Sequence, residues 1–263
     1  MKKIAFLLTL LIAFSACNSD DDNAAPQFLI SVSHSHNWDG ENVSSDDIGI
    51  TEFTNENGEV LKITRLRYLI SKIILTNSTG DEISIEGTND YNLVDLSDNN
   101  TLNYATNIVV PPGTYTKISF VYGFNEEDNV SGAYPDLNTA NWNWPGGMEG
   151  MPNLGGGYHF MQFDGKYRDI TSVEAPFNYH VISAIDPSNT NDPKDTSFSL
   201  NIGAATIGGN TNIQIEMDVS EWFKNPTIWN LNEYDINLMG NYDVQLLMNQ
   251  NGSSVFSLVS ITQ

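Results

Sequence analysis

Apolar and polar residues alternate in short runs from residue 28 onward, and turn residues separate the runs. A period of two residues is typical of half-buried β-strands, and no long segment shows the helical period. Clusters of Asn, Gly and Pro at 77–80 and 111–113 predict turns between strands. The predicted strands are residues 28–38, 61–76, 82–86, 91–95, 117–124, 157–163, 177–183, 196–202, 212–219, 241–248 and 255–261.

This rhythm predicts one all-β domain over residues 27–263, a single β-sandwich of Ig-like or Greek-key type. The apolar spacing at 66–74 also fits two helical turns, and residues 220–224 fit one short helical turn. Residues 125–156 are rich in Gly, Asn and Trp and predict a long loop. A loop of that length inside a compact domain is usually functional.

The N-terminus follows a different pattern. Lys2 and Lys3 precede an apolar run over residues 4–14, which has the length of a signal-peptide core and is too short to span a bilayer. Small residues then lead into Cys17, and this junction resembles the lipobox of bacterial lipoproteins. We therefore expect a lipoprotein signal peptide at residues 1–16 and acylation of Cys17. The alternative is ordinary secretory cleavage that leaves a free thiol.

Charge and composition limit the partners of the mature chain. Without Lys2 and Lys3, 9 basic residues face 33 acidic ones, a balance that disfavours nucleic acid and anionic lipid headgroups. The polar, acidic residues 17–26 predict a disordered tether. Cys17 is the only cysteine, so no disulfide is expected. We expect an outer-membrane lipoprotein of a Gram-negative envelope, held by its acyl chains on the periplasmic or cell-surface face.

The strand at 28–38 carries the most informative chemistry. Its even-numbered residues share one face, which begins apolar and ends in His34, His36 and Trp38. Positions two apart lie roughly 6.6 Å from each other at Cα, so both imidazoles can converge on one ion. Imidazole suits Zn, Cu, Ni or Fe. A structural role, with neutral and hydrogen-bonded histidines, stays open as the alternative.

The chain's remaining histidines are His159 and His180. His180 has apolar neighbours and His159 lies opposite to the adjacent aromatic residues, and either one alone favours a structural role. No Ser-His-Asp order, paired carboxylates or phosphate-binding loop stands out. We therefore expect a protein that is not an enzyme.

Several segments, in their order along the chain, resemble the MbnP-like copper-binding family of periplasmic or lipid-anchored β-proteins. The match spans roughly residues 30–260 and depends on the order of the blocks rather than on any one of them. The blocks are 36–43 (HNWDGENV), 66–75 (LRYLISKIIL), 91–95 (YNLVD), 112–120 (PGTYTKISF), 142–144 (WNW), 157–165 (GYHFMQFDG) and 177–180 (FNYH).

The resemblance implies that His36 and His180 are copper ligands. Some family members also use an oxidised tryptophan made by a partner dihaem enzyme, and Trp38 is the candidate because it shares the histidine face. His34 has no clear counterpart in the family, and its assignment depends on strand geometry. The family's glycine after the second histidine is replaced here by Val181.

An insertion between residues 144 and 157 is longer than is usual in the family. It contains Met148 and Met151, whose thioether sulfurs favour Cu(I), although an incidental place in a flexible loop is the favoured interpretation.

These observations predict an envelope-anchored lipoprotein that sequesters or transfers copper, as Cu(I) or Cu(II), through a histidine-rich site. The alternative is a surface module that binds glycan or protein without a metal, because Trp142 and Trp144 lie in the long loop and aromatic faces stack on sugars. A third interpretation is a structural envelope lipoprotein with no ligand.

Overall fold

A computed structural model describes residues 25–86, 89–144, 155–189 and 193–263. Its strands form two sheets that share one buried core. The strands are β1 (Phe28–Trp38), β2 (Glu41–Val43), β3 (Phe53–Thr54), β4 (Val60–Asn77), β5 (Glu82–Ser84), β6 (Tyr91–Asp95), β7 (Asn103–Val110), β8 (Gly113–Tyr122), β9 (Met161–Arg168), β10 (Glu174–Val181), β11 (Phe198–Ile207), β12 (Thr211–Asp218) and β13 (Phe256–Thr262). The predicted all-β sandwich is confirmed.

The first sheet, sheet A, has the order β13-β12-β1-β2, and β7 also pairs with β1. β1 and β12 run parallel, with Ile30 opposite Thr211, although they are far apart in sequence. The even-numbered residues of β1 from Ile30 to Trp38 are all buried, as their apolar pattern predicts. The inner face of β1 therefore points its histidines into the space between the sheets.

The second sheet, sheet B, has the order β10-β9-β4-β8-β11, with β3, β5 and β6 also pairing with the long strand β4. Leu66 and Tyr68 of β4 are buried toward the core, whereas Arg65 and Arg67 alternate with them and lie on the outer face. Arg67 lies opposite Gln162 of β9, which in turn lies opposite His180 of β10. Since cross-strand partners share a face, this row lies on the outer face of sheet B.

Helices are short and join the strands. They are α1 (Asn99–Leu102), α2 (Pro135–Thr139) and α3 (Tyr242–Asn251), with 3-10 turns at Ser45–Asp47, Val219–Phe223, Leu238–Gly240 and Gly252–Ser254. No helix among the residues that the structure describes is both long and apolar enough to cross a membrane.

One predicted strand is wrong, because residues 241–248 form most of α3. The Asn241 side chain caps this helix by accepting a hydrogen bond from the Val244 backbone N–H. Val244 and Met248 are buried four residues apart, which is the helical spacing. The Gln245 side chain, also buried, bonds the backbone of His180 and Ile182, so α3 holds the end of β10.

Other segments differ from prediction in smaller ways. Residues 66–74 are strand rather than helix, and the helical turn expected at 220–224 is present as the 3-10 turn Val219–Phe223. Strand β7 was not predicted. One of its two buried positions is occupied by Thr106, whose hydroxyl donates to the Ile30 carbonyl, so the usual apolar alternation is broken there.

Candidate metal site

The inner histidine pair, His34 and His36, lies between the two sheets. The side chains are nearly inaccessible, with residue exposures of 5% and 2%. His36 Nε2 lies 3.1 Å from the Tyr68 hydroxyl of sheet B. His34 Nε2 accepts a hydrogen bond from the Asn92 side-chain amide at 3.3 Å, and its ring stacks on Tyr104 with centroids 6.2 Å apart. Both Nε2 atoms therefore already have protein partners.

Burial keeps the inner pair uncharged. It lowers the pKa of His34 to about 3, with a further contribution from His36, and it lowers the pKa of His36 to about 4. Because the Asn92 amide donates to His34 Nε2, the ring proton of His34 belongs on Nδ1, and that buried atom has no partner among the described residues. The lone pair that a metal needs on His34 is thus already accepting a hydrogen bond.

Trp38 shares the histidine face of β1, as predicted, but its surroundings are those of a packing residue. Its indole N–H donates to the Thr54 carbonyl at 3.2 Å, and its ring stacks on Phe53 and tilts against Phe223. The structure therefore places Trp38 in the aromatic core with its N–H satisfied. Its predicted oxidation stays an untested prediction.

His180 lies on the other side of sheet B from the inner pair. Tyr179 points into the core, where it contacts Trp229 and Phe223, so its neighbour His180 points to the outer face. His36 meets Tyr68 on the inner face of the same sheet. The structure therefore does not bring His36 and His180 together, because the backbone of sheet B separates them.

The histidine that His180 does meet is His159, with ring centroids 5.4 Å apart. A short backbone bridge between Asn143 and Tyr158 brings residues 142–144 next to residues 157–159. As a result, the Trp144 ring meets the His159 ring edge-on, with ring centroids 5.4 Å apart, and the Trp142 and His159 centroids are 5.9 Å apart. We call His159 and His180 the outer pair.

Hydrogen bonds fix the tautomers of the outer pair. His180 Nε2 lies 2.7 Å from Asp164 Oδ1, and His159 Nδ1 lies 3.0 Å from the Trp142 carbonyl. Carboxylate and carbonyl oxygens only accept, so each of these ring nitrogens carries the proton. In the neutral ring, the remaining lone pair is then on Nδ1 of His180, which is buried and without a partner among the described residues, and on Nε2 of His159.

Burial favours the neutral form of His159. Burial is the main cause that lowers its pKa to about 3, and His180, Arg67 and Arg65 lower it further against the Trp142 hydrogen bond. Its lone pair is therefore available throughout the neutral range.

Asp164 supports the outer pair by accepting a hydrogen bond from His180. Burial alone would raise the pKa of Asp164, but hydrogen bonds from His180 and Asn178 and the charge of Arg65 lower it to about 2. Asn178 donates at 2.6 Å, and Arg65 forms a salt bridge. Asp164 is therefore an ionised acceptor that orients His180, and its oxygens already have partners.

The resemblance implies that His180 is a ligand but assigns no such role to His159. Taken alone, His159 favours a structural role in the sequence, and the strand expected over 157–163 begins only at Met161. The signal that was available is the pairing of two blocks, 142–144 and 157–165, each of which resembles the family. Met148 and Met151 lie outside the described residues. Within the described ranges, no three or more His, Cys, Asp or Glu side chains cluster closely enough to hold a metal ion.

The fold and the outer pair define a two-sheet β-sandwich protein with two histidines converging on one sheet surface. The MbnP family profile matches residues 28–240, and the chain belongs to the MbnP family. The predicted resemblance is thereby confirmed. The fold is similar to that of MbnP from Methylosinus trichosporium, with a TM-score of 0.55 and 17% identity over 89% of this chain and 98% of that chain. A comparison with curated proteins gives no match.

Proposed function

We propose that this protein binds copper at the outer pair and stores or hands over the metal without catalysing a reaction. The family's link to copper supports the choice of metal, and the geometry of His159 and His180 supports the choice of site. This changes the ligand set that the sequence predicts, because His180 is kept while His159 takes the place of His36.

The observation that carries the proposal is that each ring of the outer pair donates one N–H to an oxygen acceptor, which leaves its other nitrogen for a ligand. A histidine that binds a metal usually donates its other ring N–H to a carboxylate or a backbone carbonyl, which fixes the ring and makes the ligand more basic. His180 does this with Asp164, and His159 does it with the Trp142 carbonyl. The inner pair has the opposite arrangement at His34, where a neutral N–H donor already occupies the lone pair.

The donor set suits copper. Imidazole nitrogen is a good ligand for copper ions. A harder cation would require carboxylate oxygens, and the described residues of the site supply none that is free of other partners. If a tryptophan supplies a third ligand, as the resemblance implies, Trp144 is the candidate by position, since its ring contacts His159. Trp38 contacts the aromatic core instead.

Copper titration of matched double variants tests the site. His159→Ala with His180→Ala should weaken copper binding by at least about 100-fold, since both ligands are lost. His34→Ala with His36→Ala removes the same chemical groups from the inner pair and should leave copper affinity within about threefold, because those rings are not ligands. Copper affinity that falls in the inner variant and survives in the outer one would refute the assignment.

The glycan-binding alternative has weaker support. Aromatic platforms for sugars must be open to solvent, yet Trp142 is completely buried and lies beneath the Arg67 guanidinium. Trp144 is only partly exposed. The described surface therefore offers no pair of open tryptophan faces in this loop.

We further propose that Cys17 anchors the protein in the envelope. The support is the charged, apolar and small-residue order of the first sixteen residues, all of which lie outside the described residues. Labelling cells with a radioactive fatty acid tests this, with Cys17→Ser as the matched variant. Label retained by the Cys17→Ser protein, or absent from the unchanged protein, would exclude acylation at Cys17.

A further inference from the structure

The Arg67 guanidinium borders the outer pair and, among the described residues, has no carboxylate partner on that side. We propose that Arg67 makes the site selective for a soft univalent cation such as Cu(I) over divalent ions. This rests on the proposed function, because it concerns the same pair of histidines, and it assigns to Arg67 the role of a specificity-determining residue that does not itself bind the metal.

Arg67 is held toward the site by neutral partners. Its Nε and Nη2 both donate to Gln162 Oε1, at 2.9 and 2.6 Å. The guanidinium carbon lies 5.0 Å from the centre of the Trp142 ring, and that ring is in contact with His159. The bidentate bond and the aromatic face fix the position of the positive charge beside the ligand histidines.

The nearby carboxylates do not cancel this charge at the site. Asp164 pairs with Arg65, so those two groups are close to neutral together. Asp95 lies opposite Arg67 on β6, whereas Gln162 lies opposite it on β9, so Asp95 is on the side of Arg67 away from His180. Strands are spaced about 4.8 Å apart, which puts Asp95 three strands from His180. Among the described residues, one positive charge therefore remains next to the two imidazole rings.

The chemical consequence depends on the charge of the bound ion. Neutral imidazoles do not offset the charge of a cation, and Coulomb repulsion from a fixed guanidinium is twice as large for a divalent ion as for a univalent one. A soft univalent ion also needs few ligands, which matches two histidines. Replacing Arg67 with a neutral residue should therefore strengthen the binding of every cation. The fold increase in affinity for a divalent ion should be the square of the fold increase for a univalent ion.

The experiment compares Ag(I) with Zn(II) in the full chain, because both ions have a filled d shell and neither changes oxidation state. Binding constants are measured for the unchanged protein, Arg67→Gln, Arg67→Lys and Arg168→Gln in nitrate buffer, which avoids silver chloride. For Arg67→Gln, a Coulomb estimate at partly solvated distances gives about fivefold tighter Ag(I) and about 25-fold tighter Zn(II) binding. Arg67→Lys keeps the charge and should keep the preference for Ag(I). Arg168 lies further along β9 and pairs with Glu52, so Arg168→Gln should change neither constant.

A second measurement varies the salt concentration. Nitrate screens the acidic surface and the guanidinium alike, and the acidic surface is the same in the unchanged protein and in Arg67→Gln. The difference between these two proteins in their Zn(II)-to-Ag(I) affinity ratio should therefore shrink as the nitrate concentration rises. Equal changes for the two ions in Arg67→Gln, loss of the preference in Arg67→Lys, or a difference between the two proteins that is insensitive to salt would overturn the proposal. Failure of the unchanged protein to bind either ion would instead remove the proposed function, and this proposal with it.

Discussion

The inner and outer histidine pairs have the same side chains and similar burial but different hydrogen-bond partners. At the inner pair, the partners of Nε2 are the Asn92 amide and the Tyr68 hydroxyl, so both Nε2 atoms are satisfied inside the protein. At the outer pair, the partners are acceptors, Asp164 and the Trp142 carbonyl. Each outer ring therefore keeps one lone pair for a ligand. The contrast between His34 and the outer pair teaches that burial does not distinguish a structural histidine from a candidate metal ligand, whereas the direction of its hydrogen bond does.

The largest expected effect concerns the pH dependence of stability at the inner pair. The pKa values of His34 and His36, about 3 and about 4, lie below the unfolded value of 6.5, so the unfolded chain binds protons first as the pH falls. Their stabilisation is complete above pH 6.5 and is lost on acidification toward pH 4. Moving from pH 7 to pH 5 should cost about 2 kcal/mol per histidine.

Urea unfolding at pH 7 and pH 5 measures this loss. Replacing both inner residues with glutamine should remove most of the difference between the two midpoints, while the contribution of His159, whose pKa is also lowered, remains. The single variant His36→Gln provides the same comparison at half the size if the double variant folds poorly. The same loss of stability in the unchanged and substituted proteins would mean that the inner pair is not what acid protonates.

A smaller effect is expected where the outer pair meets its carboxylate. Asp164→Asn keeps an oxygen acceptor for His180 but removes the negative charge, so the imidazole becomes a weaker and less well oriented ligand. Loss of such a supporting group typically weakens metal binding 10- to 100-fold, or about 1.4–2.7 kcal/mol. Glu174→Gln is the matched control, because it removes an exposed carboxylate from the neighbouring strand β10, where Glu174 pairs with Lys166. Similar copper constants for the two variants would show that Asp164 does not support the site.

The smallest effect separates stability from binding. Tyr68→Phe removes the hydroxyl that contacts His36 and should lower the free energy of unfolding by about 1 kcal/mol, as expected for one buried hydrogen bond. Copper affinity should be unchanged, since Tyr68 lies on the inner face of sheet B. Urea midpoints and copper titrations on the same preparation check both statements. A fall in copper affinity with no change in stability would place the metal at the inner pair.

Much of the fold follows from local pattern because each long strand has one consistently buried face. β1 was predicted with its observed bounds, since Ile30, Val32, His34 and His36 alternate with serines. The pattern misled where polar residues are buried or apolar residues cluster. The buried polar residue Thr106 breaks the apolar alternation that would have indicated β7. The apolar residues around Val244 and Met248 fit a strand as well as a helix, and only the Asn241 cap favours the helix.

The candidate site was less predictable because it depends on which face of a sheet each residue occupies. The resemblance implies the same ligand role for His180 and His36, and only the pairing of β4, β9 and β10 shows that they lie on opposite sides of sheet B. The bond between His159 and the Trp142 carbonyl depends on a bridge between two irregular segments, for which no residue period gives a signal.

The parallel pairing of β1 with β12 has a consequence for how the chain folds. Ser31 of β1 bonds Asn212 of β12, which lies 181 residues further along the chain. Strand β1 is central in sheet A, and its edge toward β12 cannot pair until the second half of the chain is available. The first strand of the chain is therefore among the last to complete its hydrogen bonds. Contacts of such long range are associated with folding in milliseconds to seconds rather than microseconds. Until that closure, the inner histidines are in contact with water and titrate like those of an unfolded peptide.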